Sequence, residues 1–331
     1  KLLRAITGAI NGDLSLMGLW FLALLVLVTI VGTLVRWEPS TSGSGIPQVD
    51  AEVIDRMDMP WHRVIAAKFV EGTACAFAGL SMGREGPSVQ LGGMAGKAVS
   101  KLFRRKRGEE RLLVTCGAAA GMSAAFHAPL TGVLFALEEI HKEFTASLII
   151  SVMASSLVAD YLMSGVLGVA PVMSLTFVHD LPHIDYALVV ILAVICGVLG
   201  SLHNRGMFAC QGLYGRIKKL NPYLRLVIPF MLAGVAAFSW PELMCGGDAI
   251  FEQIVKPSGL LFGSVVALLV GKFLFTTISF GSGAPGGTLF PLVVMGALIG
   301  SAFALCASGF FGFGMTYYPN FVALGIAGLF S

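Results

Sequence analysis

Four clusters of glycine and proline interrupt what is otherwise nearly continuous apolar sequence: Gly43-Ser44-Gly45-Ile46-Pro47, Gly83-Arg84-Glu85-Gly86-Pro87, Phe126-His127-Ala128-Pro129 and Gly281-Ser282-Gly283-Ala284-Pro285-Gly286-Gly287. Glycine and proline end helices, so the clusters cut the apolar runs into pieces, several too short to cross about 30 Å of hydrocarbon. The runs face lipid: 56% of the 331 residues are hydrophobic and only 12% charged, about half the usual charged share, and mean hydropathy is +0.83. Unpaired backbone N–H and C=O groups cannot be hydrated there, so helix breaks at membrane depth persist only where protein buries them or where they line a wet cavity.

The apolar runs predict an all-α polytopic membrane protein, with helices over about 14–36, 62–80, 86–103, 111–126, 129–143, 147–165, 184–212, 223–239, 259–279, 287–308 and 319–331. The glycine-rich breaks each precede an apolar helical run. That order places helix N-termini at the breaks, where free N–H groups and the positive dipole end hold anions rather than cations.

The rest of the composition excludes other classes. A net charge of +3 leaves no nucleic-acid footprint, because the basic residues gather between apolar runs. One cluster is Lys101, Arg104, Arg105, Lys106, Arg107 and Arg111; another is Arg216, Lys218 and Lys219. The positive-inside tendency expects both on the cytoplasmic face. The six cysteines are scattered with no C-x-x-C pair and read as small buried hydrophobes, giving no metal site. No phosphate-binding G-x-x-x-x-G-K-[ST] occurs, and no cofactor is expected.

The sequence repeats faintly. Gly83 to Gly93 and Gly283 to Gly296 each give a Gly/Pro break followed by an apolar helix, and the segments Gly117 to Gly121 and Gly325 to Gly328 resemble one another. The second copy stops at Ser331 and the chain begins at Lys1, so the expectation is a piece of a longer protein.

Together, the first, second and fourth clusters resemble the three signature stretches of the CLC family of chloride/proton antiporters and chloride channels, in that family's order, with Gly117 to Gly121 and Ala128 to Gly132 fitting the same pattern. The resemblance covers essentially the whole chain. It implies an inverted-repeat fold with broken half-helices meeting near the midplane. A single transmembrane domain would span 1–331, its first repeat over about 1–170 and its second over 184–331, truncated at the C-terminus.

The residues carry over one by one. Ser44, as a plain residue, is a turn serine; by resemblance its hydroxyl donates to chloride, with Gly45, Ile46 and the backbone amides of Thr288, Leu289 and Phe290 completing the site. Gly43, Pro47, Gly286 and Gly287 support those backbones. Glu85, between Arg84 and Gly86-Pro87, could simply cap a helix, but an ionisable residue inside a membrane is a functional candidate. A carboxylate at an anion-binding helix end competes with the anion for the same donors, and the resemblance makes Glu85 the gating glutamate. Glu139 would be the internal proton-transfer glutamate, with Asp50 as an acidic neighbour and Glu138 structural. His127 is read as a satisfied structural histidine in preference to a proton relay. The family's C-terminal pore tyrosine has no counterpart here.

These expectations add up to exchange of chloride for protons by a homodimer in a bacterial inner membrane. A passive voltage- or pH-gated chloride channel of the same family is the alternative. An intramembrane hydrolase using Ser44 or Ser282 is remote, since neither serine lies in G-x-S-x-G, and a purely structural scaffold would leave Glu85 unexplained.

Overall fold

The computed structural model describes residues 2–169, 181–182, 186–216, 221–255, 261–311 and 315–330. Lys218, Lys219, Ser331 and the expected helix starts at 184 and 259 lie outside them. Among the described residues fourteen α-helices follow in order: α1 (Leu2–Ile10), α2 (Leu14–Trp37), α3 (Ile46–Val53), α4 (Trp61–Ala78), α5 (Glu85–Leu102), α6 (Arg107–Phe126), α7 (Pro129–Phe135), α8 (Ala146–Tyr161), α9 (Tyr186–Arg216), α10 (Pro222–Ser239), α11 (Asp248–Val255), α12 (Phe262–Gly281), α13 (Leu289–Phe311) and α14 (Tyr318–Phe330). Among the described residues six spans, those built on α2, α8, α9, α10, α12 and α13, are long and apolar enough to cross a membrane.

α2 shows how such a helix meets two apolar surroundings. Its buried residues Trp20, Leu24, Val28 and Val31 recur at helical spacing, while Leu19, Leu22 and Val26 remain more than half exposed on other faces. A helix apolar all round is packed on one side and bathed in lipid on the other. The chain is an integral membrane protein.

The apolar runs missed three short helices and merged one. α1, α3 and α11 have nine, eight and eight residues, too few and too mixed in polarity to stand out. The run expected over 129–143 divides into α7 and a π-helical turn, Ala136–His141, a geometry that recurs at functional sites.

A repeat is plain in three dimensions. The order long helix, 3₁₀ turn, eight-residue helix, helix, helix, helix runs from α2 to α6 and again from α10 to α14, with 3₁₀ turns at Pro39–Thr41 and Pro241–Leu243 and one further turn, Met315–Tyr317, before α14. Left-handed glycines stand at matching points: Gly45 (φ 95°) and Gly247 (φ 108°), then Gly79 (φ 85°) and Gly283 (φ 83°). Each half contains a fully buried lysine holding two carbonyls of its own loop. Lys68 donates to Thr41 O and Gly43 O, both at 2.7 Å, and Lys272 to Leu243 O at 3.2 Å and Cys245 O at 2.6 Å. Both helix pairs that follow pack through glycine: a Cβ on Gly117 would meet Gly92 O at 2.0 Å, and one on Gly325 would meet Gly296 O at 2.4 Å.

A candidate anion site with a carboxylate gate

Three of the four breaks expected from sequence converge. Gly43 N–H donates to Gly283 O and Gly286 N–H donates to Gly43 O, each at 3.1 Å. Gly83 and Gly287 exchange both backbone hydrogen bonds, at 2.7 and 2.8 Å. The Ser42 hydroxyl adds a bond to Gly283 O at 3.0 Å. The polar backbone at these breaks is thus satisfied internally, as burial in a membrane requires, and the N-termini of α3, α5 and α13 are fixed around one point.

Glu85 is the first residue of α5 and is fully buried. Its carboxylate does not cap its own helix. It crosses to α13, where Oε1 accepts the N–H groups of Leu289 at 2.6 Å and Phe290 at 3.2 Å. Those amides open α13 and have no intrahelical acceptor, so the carboxylate occupies a ready-made anion site. Its second oxygen, Oε2, is buried with no hydrogen-bond partner among the described residues. Two glycines make the room: a Cβ on Gly83 would come within 2.0 Å of Oε2, and one on Gly287 within 2.1 Å of Oε1. Because the N-termini of α5 and α13 meet at this carboxylate, the two helices run away from a shared point.

Ser44 lies beside this carboxylate. A Cβ on Gly86 would sit 2.5 Å from both the hydroxyl and the carbonyl oxygen of Ser44, so the α5 backbone approaches it as closely as glycine allows. The Ser44 hydroxyl has no hydrogen-bond partner among the described residues. Gly45 turns the chain into α3 in the left-handed conformation, with Ile46 and Pro47 in the first turn. Gln48 and Gln90 brace the approach, donating to Ser42 O at 3.0 Å and Ser40 O at 2.8 Å.

The other expected residues divide. Leu289 and Phe290 supply the amides; Thr288 instead contributes its carbonyl to the helix through Leu292 N–H. The Phe290 ring is buried and stacks on Phe126 with centroids 6.3 Å apart. Arg84 is exposed and lines a cavity of about 440 Å³ together with Lys68, Gly83, Pro87, Gly286 and Phe290. Glu139 stands apart from the cluster, exposed in the π-helical turn with Glu138. Asp50 approaches that turn through a 3.0 Å ion pair with Lys142, so α3 links the Ser44 loop to the neighbourhood of Glu139.

His127 departs from the satisfied histidine expected from sequence. It ends α6 in a left-handed conformation (φ 55°), with its ring nearly buried and Nδ1 3.4 Å from Asp160 Oδ1. Neither ring nitrogen has a hydrogen-bond partner. Sequence reasoning also passed over Lys68, Glu71 and Lys272, all fully buried. An ionisable residue inside an apolar run was the signal for them.

Comparisons with known proteins bear on the family and the fold. The family model described as voltage gated chloride channel matches residues 23–331. The H(+)/Cl(-) exchange transporter ClcA of Vibrio cholerae serotype O1 is 33% identical over 308 residues, 90% of this chain and 65% of its own length. ClcA of Yersinia pestis bv. Antiqua is 33% identical over 286 residues, 83% of this chain and 59% of its own. The chain therefore spans slightly under two thirds of the length of these curated relatives. Among solved structures, a slow cyanobacterial Cl-/H+ antiporter superposes with a TM-score of 0.82 at 29% identity, covering 99% of this chain and 82% of that one. A eukaryotic CLC transporter, 20% identical, shares the fold with a TM-score of 0.78, over 99% of this chain and 59% of its own.

Proposed function

The chain belongs to the voltage gated chloride channel family, and from that premise we propose that it carries chloride across the bilayer in exchange for protons. One observation supports this most directly: a buried carboxylate rests on the helix-end amides that a chloride ion would need. Anion and carboxylate compete for the same donors. Protonation removes the charge that holds Glu85 there, the side chain swings away, and chloride takes the amides of Leu289 and Phe290 with the Ser44 hydroxyl. The amide donors replace part of the ion's lost hydration, without which burying it is prohibitive. When Glu85 loses its proton and returns, it displaces chloride, so the two ions move in alternation.

The rest of the reading follows the relatives, whose names describe H(+)/Cl(-) exchange. Glu139, exposed at the other end of the α7 segment, passes protons between the inner solution and the interior. Gly43, Pro47, Gly86, Pro87, Gly286 and Gly287 hold the backbones that line the anion path, Arg84 attracts anions to its outer mouth, and Asp50 stands beside the inner proton entrance. The working unit is a homodimer in a bacterial inner membrane, with ion gradients as the driving force and no cofactor. The rival reading is a passive chloride channel of the same fold.

Reconstitution into liposomes, with chloride flux and pH recorded together, decides between them. Exchange requires a chloride gradient to drive protons uphill, and Glu85→Gln to abolish that movement while chloride still flows. Chloride flux without proton movement in the unmodified protein would leave the channel.

A further inference from the structure

The two buried lysines hold their loops in the same way, yet only one has an acid beside it. Glu71 is one turn along α4 from Lys68 and fully buried. Its Oε1 accepts from the Thr41 hydroxyl at 3.0 Å, while Oε2 is buried with no partner. Glu38, 7% exposed, lies on the same connection as Thr41 and accepts from Ser40 at 2.7 Å. The corresponding positions in the second half are Trp240, Leu243 and Phe275 in place of Glu38, Thr41 and Glu71, and Lys272 still holds its two carbonyls there. The acid is therefore not needed to seat the lysine. It occurs only in the half that carries Ser44.

The connection to the anion site is short. Lys68 Nζ donates to Gly43 O, which also accepts Gly286 N–H, so the ammonium lies one residue from Ser44 and one hydrogen bond from the loop that opens α13. Gly72, next to Glu71, packs against Pro87 in the first turn of α5. The other groups around Glu71 are Lys68 and Cys75 on α4 and Glu38 from the α2 connection. α5 brings Arg84 and Glu85 at its start, α2 ends with Arg36, and α10 carries Arg225.

We propose that Glu71 is a second proton-binding carboxylate of this chain, which sets the chloride affinity of the Ser44 site by opposing or releasing the charge of Lys68. This rests on the anion-site reading above. Ionised, Glu71 offsets the ammonium and weakens the field at the site; protonated, it leaves Lys68 uncompensated and the anion is held more tightly. Binding linkage is reciprocal, so chloride in turn favours the protonated form of Glu71.

The experiment removes Glu85 as a confounding acid. Chloride affinity of the purified Glu85→Gln protein is measured by titration calorimetry over about pH 5 to 9, and again with Glu71→Gln added. The single variant should lose affinity as pH rises, by on the order of tenfold for one unit charge nearby, and the double variant should lack that fall, losing affinity only where buried Lys68 itself gives up its proton. Thr41→Val, which removes the hydroxyl donated to the carboxylate, should shift the fall to higher pH, because a hydrogen bond to the charged form favours that form. Infrared difference spectra should show a carboxyl band that titrates in the single variant, is lost with Glu71→Gln, and moves to higher pH with chloride. Equal pH dependence in the single and double variants, with chloride bound in both, overturns the Glu71 proposal and leaves the anion site standing. A titrating Glu71 band with no chloride binding at any pH overturns the anion-site reading and the coupling with it.

Discussion

Oε1 of Glu85 lies 2.6 Å from the N–H of Leu289, a residue 204 positions later in the chain. A side chain from the first half of the molecule thus caps a helix of the second. Hydrogen bonds to charged groups contribute about 1.5–3 kcal/mol each, and both halves depend on the same pair of amides for contact at this point.

Gly287→Ala tests whether that contact is the gate. The added methyl would meet Oε1 at 2.1 Å, so the carboxylate must leave although Glu85 is unchanged. Loss of even one such bond shifts occupancy of the amides by at least about tenfold. Because chloride would take the same place on the Leu289 and Phe290 amides, chloride affinity by calorimetry should fall together with proton movement per chloride in liposomes; unchanged coupling would show that Glu85 works from another position.

Glu139→Gln keeps the shape of the π-helical turn and removes its acid. Chloride flux should continue, while coupled proton flux should drop about a hundredfold, the scale of losing a positioned proton carrier. Because Glu139 is exposed, stability of the detergent-solubilised protein should be unaffected.

Gly117→Leu attacks packing alone. The α5–α6 contact leaves no space for a Cβ, since Gly92 O would stand 2.0 Å from it. Overpacking by even a methylene or two costs about 1–3 kcal/mol, so the thermal unfolding midpoint in detergent should fall well below that of the unmodified protein. Gly325→Leu in the second half should behave alike.

A pH effect is expected at the end of α5. Lys97, itself buried, binds Glu52 at 2.7 Å and Asp58 at 2.5 Å. Asp58, in the loop between α3 and α4, is held below the usual carboxylate range, first by the Lys97 hydrogen bond and then by the lysine charge. A depressed folded-state value stabilises the fold above the unfolded value, near pH 4, and that contribution is lost as pH falls through the folded value. Asp58→Asn should flatten the acid limb of the unfolding midpoint slightly, Asp58 being largely exposed. Lys97→Met should lower stability at neutral pH, by less than the about 3–5 kcal/mol of a wholly unpaired buried charge, because Glu52 keeps Arg107 at 3.2 Å and the Met59 N–H at 2.7 Å.

Much of this was readable from residue order because the physics is local. Glycine beside proline breaks a helix, and a break before an apolar run leaves free amides, so the breaks and the intramembrane acid Glu85 were legible without coordinates, while Ser44 and the amides of Leu289 and Phe290 were named through the resemblance to the family. Three things were out of reach. That Glu85 caps α13 and not α5 is a contact across the chain, which no local pattern encodes. The eight-residue helices α3 and α11 are stabilised by burial against neighbours, not by propensity. The buried set of Lys68, Glu71 and Thr41 depends on a serine- and threonine-containing turn folding back against α4, and from sequence those charges look like interruptions in an apolar run.

Gly43, Gly83, Gly283, Gly286 and Gly287 share four backbone hydrogen bonds across the two halves. A transporter that rocked one half against the other would have to rupture all four in each turnover and find new partners for every group freed. Under the proposed exchange the scaffold would therefore act as a stator. Alternation would fall to a single side-chain torsion at Glu85, and the turnover clock would be set by protons reaching one carboxylate and not by the inertia of a moving domain.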